Sequence, residues 1–273
     1  MSAPKYFLFC GVGRSGTTAL RKALGLHPEI YYNGMENNIV QDVVACALRN
    51  CTMSSRKESM VVSQEQYDSH FRRLLTDILW PEEEKREGKT LLCSYNPGAD
   101  IADYMVQLFG SCKILYIVRN GIEVVASRQR FSSFAHNAFP DQCDVWLRSK
   151  GMLDWGRQHP EVFKEFRYEW LNDETQIHAR LSDVFQWFGL TQTDICANHV
   201  LSNRYHPTLD PNDTKVVNAE YAGQDSSVRQ KMSAERQDRW KCWTPEERQI
   251  FEQKCGAFMQ ELGYPLPWQA AQA

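Results

Sequence analysis

The segment Tyr6–Thr18, YFLFCGVGRSGTT, joins an apolar run to a glycine-rich turn that ends in a serine and two threonines. Residues of these types at this spacing suit the holding of a phosphate. The first amides of a helix lack intrahelical partners and sit at the positive end of its dipole, and glycine lets an anion come close to the backbone. Three kinds of site share the pattern. Gly11 to Gly16 reads GVGRSG, formally GxGxxG, with Glu36 20 residues beyond Gly16, the outline of a dinucleotide fingerprint. Against it, Arg14, Ser15, Thr17 and Thr18 crowd charge and hydroxyls where a pyrophosphate needs bare backbone, and Glu36 falls past Gly34. The same glycines have Walker A spacing, but Thr17 stands in place of the phosphate-binding lysine, and Arg119 where a magnesium-binding Asp would follow its strand. The third kind holds a 5′-phosphate beside a leaving group, with Arg14 as the cation and Ser15, Gly16, Thr17 and Thr18 as donors.

A second motif selects among them. In IVRNGIEVVAS, Arg119 follows an apolar strand and Ser127 comes eight residues later, inside the next helix. A cation at a strand end with a hydroxyl about two helical turns on is another anion site. Two phosphate sites on one sheet, without a metal ligand, suit a nucleotide phosphorylated at both its 5′ and 3′ positions.

On these motifs the chain resembles the sulfotransferases that use 3′-phosphoadenosine-5′-phosphosulfate (PAPS). GRSGTT is similar to their 5′-phosphosulfate loop, and VRNGIEVVAS to their 3′-phosphate motif. FRYEWL is similar to their RYEDL strand end. RWKCWTPEERQIFEQKCGAFMQELGYP is similar to the closing segment of the bacterial and tyrosylprotein-type branch. The resemblance implies metal-free, in-line transfer of a sulfuryl group from PAPS. Arg14 then neutralises the leaving group, and Glu36, in a segment like that branch's GEE, is the base. It also places Tyr168, Arg239 and Lys241 near the nucleotide, and Ser94 and Tyr95 towards the acceptor. One departure stands out: relatives carry a lysine or histidine before the proline of NKDP-like patterns, where this chain has Tyr95 in SYNP. A neutral tyrosine does not supply that charge at pH 7. His27 reads as a structural residue at a helix end. Among the tryptophans, Trp146 and Trp240 are the two to compare with an adenine site.

The elements that must position these groups alternate. Strands are expected at Tyr6–Cys10, Ile30–Tyr32, Leu91–Ser94, Lys113–Val118 and Val162–Tyr168. Helices are expected at Thr17–Leu26, through much of residues 36 to 80 apart from a polar interruption at Thr52–Lys57, and at Ile101–Phe109, Ile122–Arg130 and Thr175–Phe188. Residues 81–89 read as a solvated connection. The last helix is signalled by Thr244, Pro245 and Glu247 at its start and Gly263 after its end. Such alternation implies an α/β fold: a single three-layer domain over residues 1–273, with a mostly parallel sheet between helices and a P-loop-like phosphate loop. Residues 207–239 read as a polar excursion.

Composition sets the bounds. The chain has 273 residues, 42% hydrophobic and 24% charged, an ordinary globular balance. Its apolar runs are too short to cross a membrane, and its N-terminal residues lack the pattern of a secretory signal. Nine cysteines without a CxxC indicate neither a zinc site nor a disulfide framework, and point to a cytoplasmic protein. A net charge of −3 gives no case for nucleic acid as a partner. The remaining expectation is a small-molecule acceptor, with an NAD-dependent oxidoreductase as the alternative reading of the glycine loop and a noncatalytic nucleotide-binding protein as a third.

Overall fold

In a computed structural model, which describes residues 5–52, 62–110, 112–202 and 239–270, the expected strands pair into one sheet. They are β1 (Lys5–Cys10), β2 (Ile30–Tyr32), β3 (Thr90–Ser94), β4 (Cys112–Val118) and β5 (Phe163–Arg167), in the order β2-β3-β1-β4-β5. Every pairing is parallel, a stricter arrangement than the mostly parallel sheet expected. Strands of a parallel sheet are buried on both faces, which is why FLFC and LLC are apolar without alternation.

Side chains of β1 divide between two cores. Tyr6, Leu8 and Cys10 pack with α2 (Ile39–Thr52), α3 (Gln64–Leu79), α5 (Ala99–Phe109), α6 (Gly121–Gln129), α7 (Phe139–Gln158) and α10 (Pro245–Glu261). Phe7 and Phe9 pack on the other face with α1 (Thr17–Leu24), α8 (Glu174–Phe188) and α9 (Ile195–Ser202). Each fully buried phenylalanine contributes about 1.5–3 kcal/mol by leaving water. Thus β1 runs into a helix on one face and β4 into a helix on the opposite face. In open α/β sheets such a reversal marks the crevice beyond the carboxyl ends of neighbouring strands, where ligands bind.

Several boundaries differ from expectation. Helix α1 ends at Leu24 because Gly25 to His27 tighten into turns. The connection at 81–89 contains a one-turn helix, α4 (Glu83–Arg86). Strand β5 stops at Arg167, so Tyr168 belongs to a 3-10 turn, Tyr168–Asn172. Helices α7 and α9 were not expected from the sequence. A last short helix, α11 (Pro267–Ala270), follows α10, whose expected cap is present: Thr244 Oγ1 accepts from Glu247 N at 3.2 Å while the Glu247 side chain accepts from Thr244 N at 2.9 Å. Residues 207–238 of the polar excursion lie outside the described residues. No helix among the described residues is long and apolar enough to cross a membrane.

Candidate active site

The loop after β1 turns on two left-handed residues, Arg14 at φ 78° and Gly16 at φ 92°. Gly16 is the N-cap of α1 and no side chain caps that helix, whereas Ser63, Asn120, Asp173 and Thr244 cap α3, α6, α8 and α10. The first amides of α1, those of Thr17 and Thr18 among them, therefore have no side-chain cap among the described residues. Ser15 is fully buried, and its hydroxyl has no hydrogen-bond partner among the described residues. A buried hydroxyl without a partner beside a helix end that no side chain caps is compatible with an anion site. Gly16 is needed twice over: its φ is unfavourable for other residues, and a Cβ there would lie 2.4 Å from Tyr168 Cδ2.

Arg119 closes the other side of the crevice. It is 6% exposed, donates from Nε to Glu123 Oε2 at 2.9 Å and from Nη1 to the Arg14 carbonyl at 3.0 Å, and lies 3.9 Å from the centre of the Tyr168 ring. Burial works against its charge, but Tyr168 and Glu123 outweigh that and raise its pKa. Arg14 runs along the same crevice. Its Nε donates to Ser127 Oγ at 3.1 Å and its guanidinium stacks on Phe131 at 4.6 Å. Burial, then the charge of Arg119, lowers its pKa. The residues expected to hold two separate phosphates therefore lie against one another along one wall, with two cations close enough to repel. The strain at Arg14, of order 1–3 kcal/mol for a non-glycine residue at positive φ, is held in place by the Arg119 hydrogen bond.

Glu36 lies beyond β2 with its side chain 55% exposed, and pairs with Arg21 of α1 at 2.9 Å. Arg21 is itself buried, and the same Nη1 donates to Ser94 Oγ at 3.2 Å. Ser94 ends β3 and is fixed by Asn37, which accepts from its amide at 2.8 Å. Burial foremost, with Cys10 and Asp100 adding to it, pushes Tyr95 up to about 12, so this side chain stays a neutral phenol. The cation on this side of the crevice is thus Arg21, on a helix, in place of a residue on the strand end.

Arg239 and Lys241 fall in a 3-10 turn, Arg239–Cys242, tied to the end of α6 through Trp243 Nε1, which donates to Gln129 Oε1 at 2.7 Å. Trp240 packs on Trp268 at 5.5 Å and under Arg248. Trp146 is fully buried and donates to the Arg119 carbonyl at 3.0 Å, so it is a core residue that supports the site from behind and has no face for an adenine. His27 is structural: it is 1% exposed, Nδ1 accepts from Glu29 N at 3.1 Å, and Nε2 meets the Thr191 carbonyl at 2.9 Å.

The sequence profile described as the Sulfotransferase family matches residues 7–194. The chain belongs to the sulfotransferase family. Mouse protein-tyrosine sulfotransferase 1 is 28% identical over 149 residues, covering 51% of this chain and 39% of that protein. Chicken protein-tyrosine sulfotransferase 2 is 25% identical over 206 residues, covering 69% and 52%. The chain therefore spans only about two fifths to one half of the length of these relatives. The sulfotransferase domain of the Synechococcus PCC 7002 olefin synthase shares the fold at a TM-score of 0.55, with 19% identity over 97% of this chain and 96% of that one. The sulfotransferase domain from the curacin biosynthetic pathway does so at 0.53, with 17% identity over 97% and 99%.

Family membership leaves the oxidoreductase reading unsupported, and the sheet gives a physical reason. In the dinucleotide fold the strand carrying the ribose-binding acid neighbours the first strand. Here β3 lies between β1 and β2, and Glu36 is engaged with Arg21. Residues missed in the sequence are Arg21, Arg128 and Gln142. Each is polar and buried, and nothing in a linear motif marks such residues.

Proposed function

We propose that this chain transfers the sulfuryl group of PAPS to a hydroxyl or amine of a small-molecule acceptor. The observation that carries the reading is a convergence at the ends of β1 and β4. The uncapped helix α1, the unpartnered Ser15 hydroxyl and the cations Arg14 and Arg119 meet there. PAPS, when bound, supplies the group transferred. Ser15, Gly16, Thr17 and Thr18 would hold its 5′ end and Arg14 would neutralise the charge of the leaving phosphate. Arg119 and Ser127 would hold the 3′-phosphate, Tyr168 would border the nucleotide beside Arg119, and Arg239 and Lys241 would add charge from the C-terminal side. Glu36 would accept the proton of the acceptor, which Ser94 and Tyr95 line. Side chains supply every charge in this scheme, so it needs no metal.

The reading treats residues 1–273 as one catalytic domain working in the cytoplasm. Cys10, Cys93, Cys112, Cys143, Cys196 and Cys255 are buried free thiols, and Cys46 and Cys242 are exposed ones, which suits a reducing compartment. A protein tyrosine is the competing acceptor, raised by the similarity to the protein-tyrosine sulfotransferases. A panel of phenols, alcohols, amines and tyrosine peptides separates the two. The donor is tested by calorimetry with 3′,5′-adenosine bisphosphate, NAD and ATP in the absence of magnesium. The bisphosphate is expected to bind and the other two to bind far more weakly. Arg119→Ala is expected to weaken the bisphosphate about tenfold to a hundredfold. Preference for NAD or ATP would overturn the reading.

A further inference from the structure

Among the described residues, Arg128 is a cation without a counter-ion. It follows Ser127 on α6 and is 5% exposed, yet among the described residues no carboxylate pairs with it. Its hydrogen bond there is from Nε to Gln142 Oε1, at 2.6 Å, and no described residue accepts from Nη1 or Nη2. A buried charge left unpaired is costly, and a ligand of opposite charge would offset that cost. Gln142, fully buried on α7, is itself anchored through Nε2 to the Phe134 carbonyl at 2.5 Å. The guanidinium lies over the Phe134 ring at 4.1 Å, and Nη1 would be 3.4 Å from a Cβ placed on Gly13. Arg14 lies on Phe131, whose ring is 5.3 Å from that of Phe134. Two guanidiniums thus rest on one aromatic ledge, and Arg14 bonds the Ser127 hydroxyl from it. Glu123 and Glu169, the carboxylates on this wall, are taken by Arg119 and by Asn120 N and Tyr264.

We propose that Arg128 is a further ligand of the donor's 3′-phosphate, placed beside Ser127 by the Gln142 hydrogen bond and the Phe134 ring. This rests on the donor site proposed above and adds to it a binding residue, Arg128, and a positioning residue, Gln142. The planar fork of arginine matches two phosphate oxygens, and Nε is already spent on orientation, so the free Nη pair is presented to the ligand.

The test is calorimetry on the full chain with 3′,5′-adenosine bisphosphate and adenosine 5′-monophosphate. Arg128→Gln is expected to weaken the bisphosphate about tenfold to a hundredfold, the scale of a charge-assisted hydrogen bond, and to leave the monophosphate within about twofold. Gln142→Glu, nearly isosteric, sets a carboxylate on Nε and is expected to weaken the bisphosphate selectively by about tenfold. It serves where Arg128→Gln does not fold. Equal losses for both nucleotides, or none for either, overturn the role of Arg128. A wild-type chain that does not prefer the bisphosphate overturns the donor reading itself, and the two failures are distinguishable.

Discussion

Glu36, the proposed base, is paired with a residue that a linear motif cannot reveal. Arg21 reaches it from α1 while also donating to Ser94, so one buried guanidinium joins the proposed base to the strand end proposed to line the acceptor site. Because the Glu36 side chain is 55% exposed, its ion pair adds only about 0–1 kcal/mol to stability. Glu36→Gln should therefore leave the fold and the affinity for 3′,5′-adenosine bisphosphate unchanged. With whichever acceptor the panel identifies, kcat should fall about 100- to 10,000-fold, the usual contribution of a general base. Retained turnover would move the role of base elsewhere. The residues legible in the sequence, Arg14, Ser15, Arg119 and Ser127, are those at fixed distances from a strand end, where the backbone alone dictates position. Arg128 and Gln142 were illegible for the opposite reason. One falls outside the linear motif that marks Arg119 and Ser127, and the other lies in a helix that the sequence does not announce.

That helix, α7, shows how an element can hide. In its 20 residues the buried positions include Gln142, Cys143, Trp146, Ser149, Met152, Leu153 and Gly156, which recur with helical spacing. Three of them are polar or glycine, so a search for apolar periodicity loses the face. Each has a reason: Gln142 holds Arg128, Ser149 bonds Tyr116 at 3.1 Å, and a Cβ on Gly156 would meet Phe163 at 2.1 Å. The strands and α10 were legible because a buried parallel strand is a plain apolar run and a capping box is a local signal. Helix α6 also packs closely on α7 at Gly121, where a Cβ would sit 2.7 Å from Trp146 Cε2. The indole is fully buried and tethered to the Arg119 carbonyl, so it has no room to retreat. Gly121→Ala should cost about 1–3 kcal/mol in urea unfolding by overpacking. It should also weaken 3′,5′-adenosine bisphosphate, since Arg119 is displaced with the ring. An unchanged midpoint would show that the two helices can separate without penalty.

Across the whole molecule, Glu169 connects parts that are distant in sequence. Oε1 accepts from Asn120 N at 3.3 Å, at the start of α6, and Oε2 accepts from the Tyr264 hydroxyl at 2.8 Å, in the segment that follows α10. Burial raises the pKa of this carboxyl above its ordinary 4.5, with Glu123 adding to the effect against these hydrogen bonds. Between the unfolded and folded values the native chain keeps a proton that the unfolded chain has released. The contribution of Glu169 is therefore complete below about 4.5 and is lost as pH rises through the folded value. Carboxyls held low elsewhere, such as Asp173, at about 2 beside Thr175 and Gln176, act in the opposite direction at lower pH. The effect of Glu169 is thus read as a difference between two chains. Urea unfolding from pH 4 to 7 should show wild type losing stability relative to Glu169→Gln as pH rises, because the amide has no charge to bury. A difference that is flat across this range would mean that Glu169 ionises as freely in the folded chain as in the unfolded one, and that the carboxyl does not hold the C-terminal segment against α6 in its protonated form.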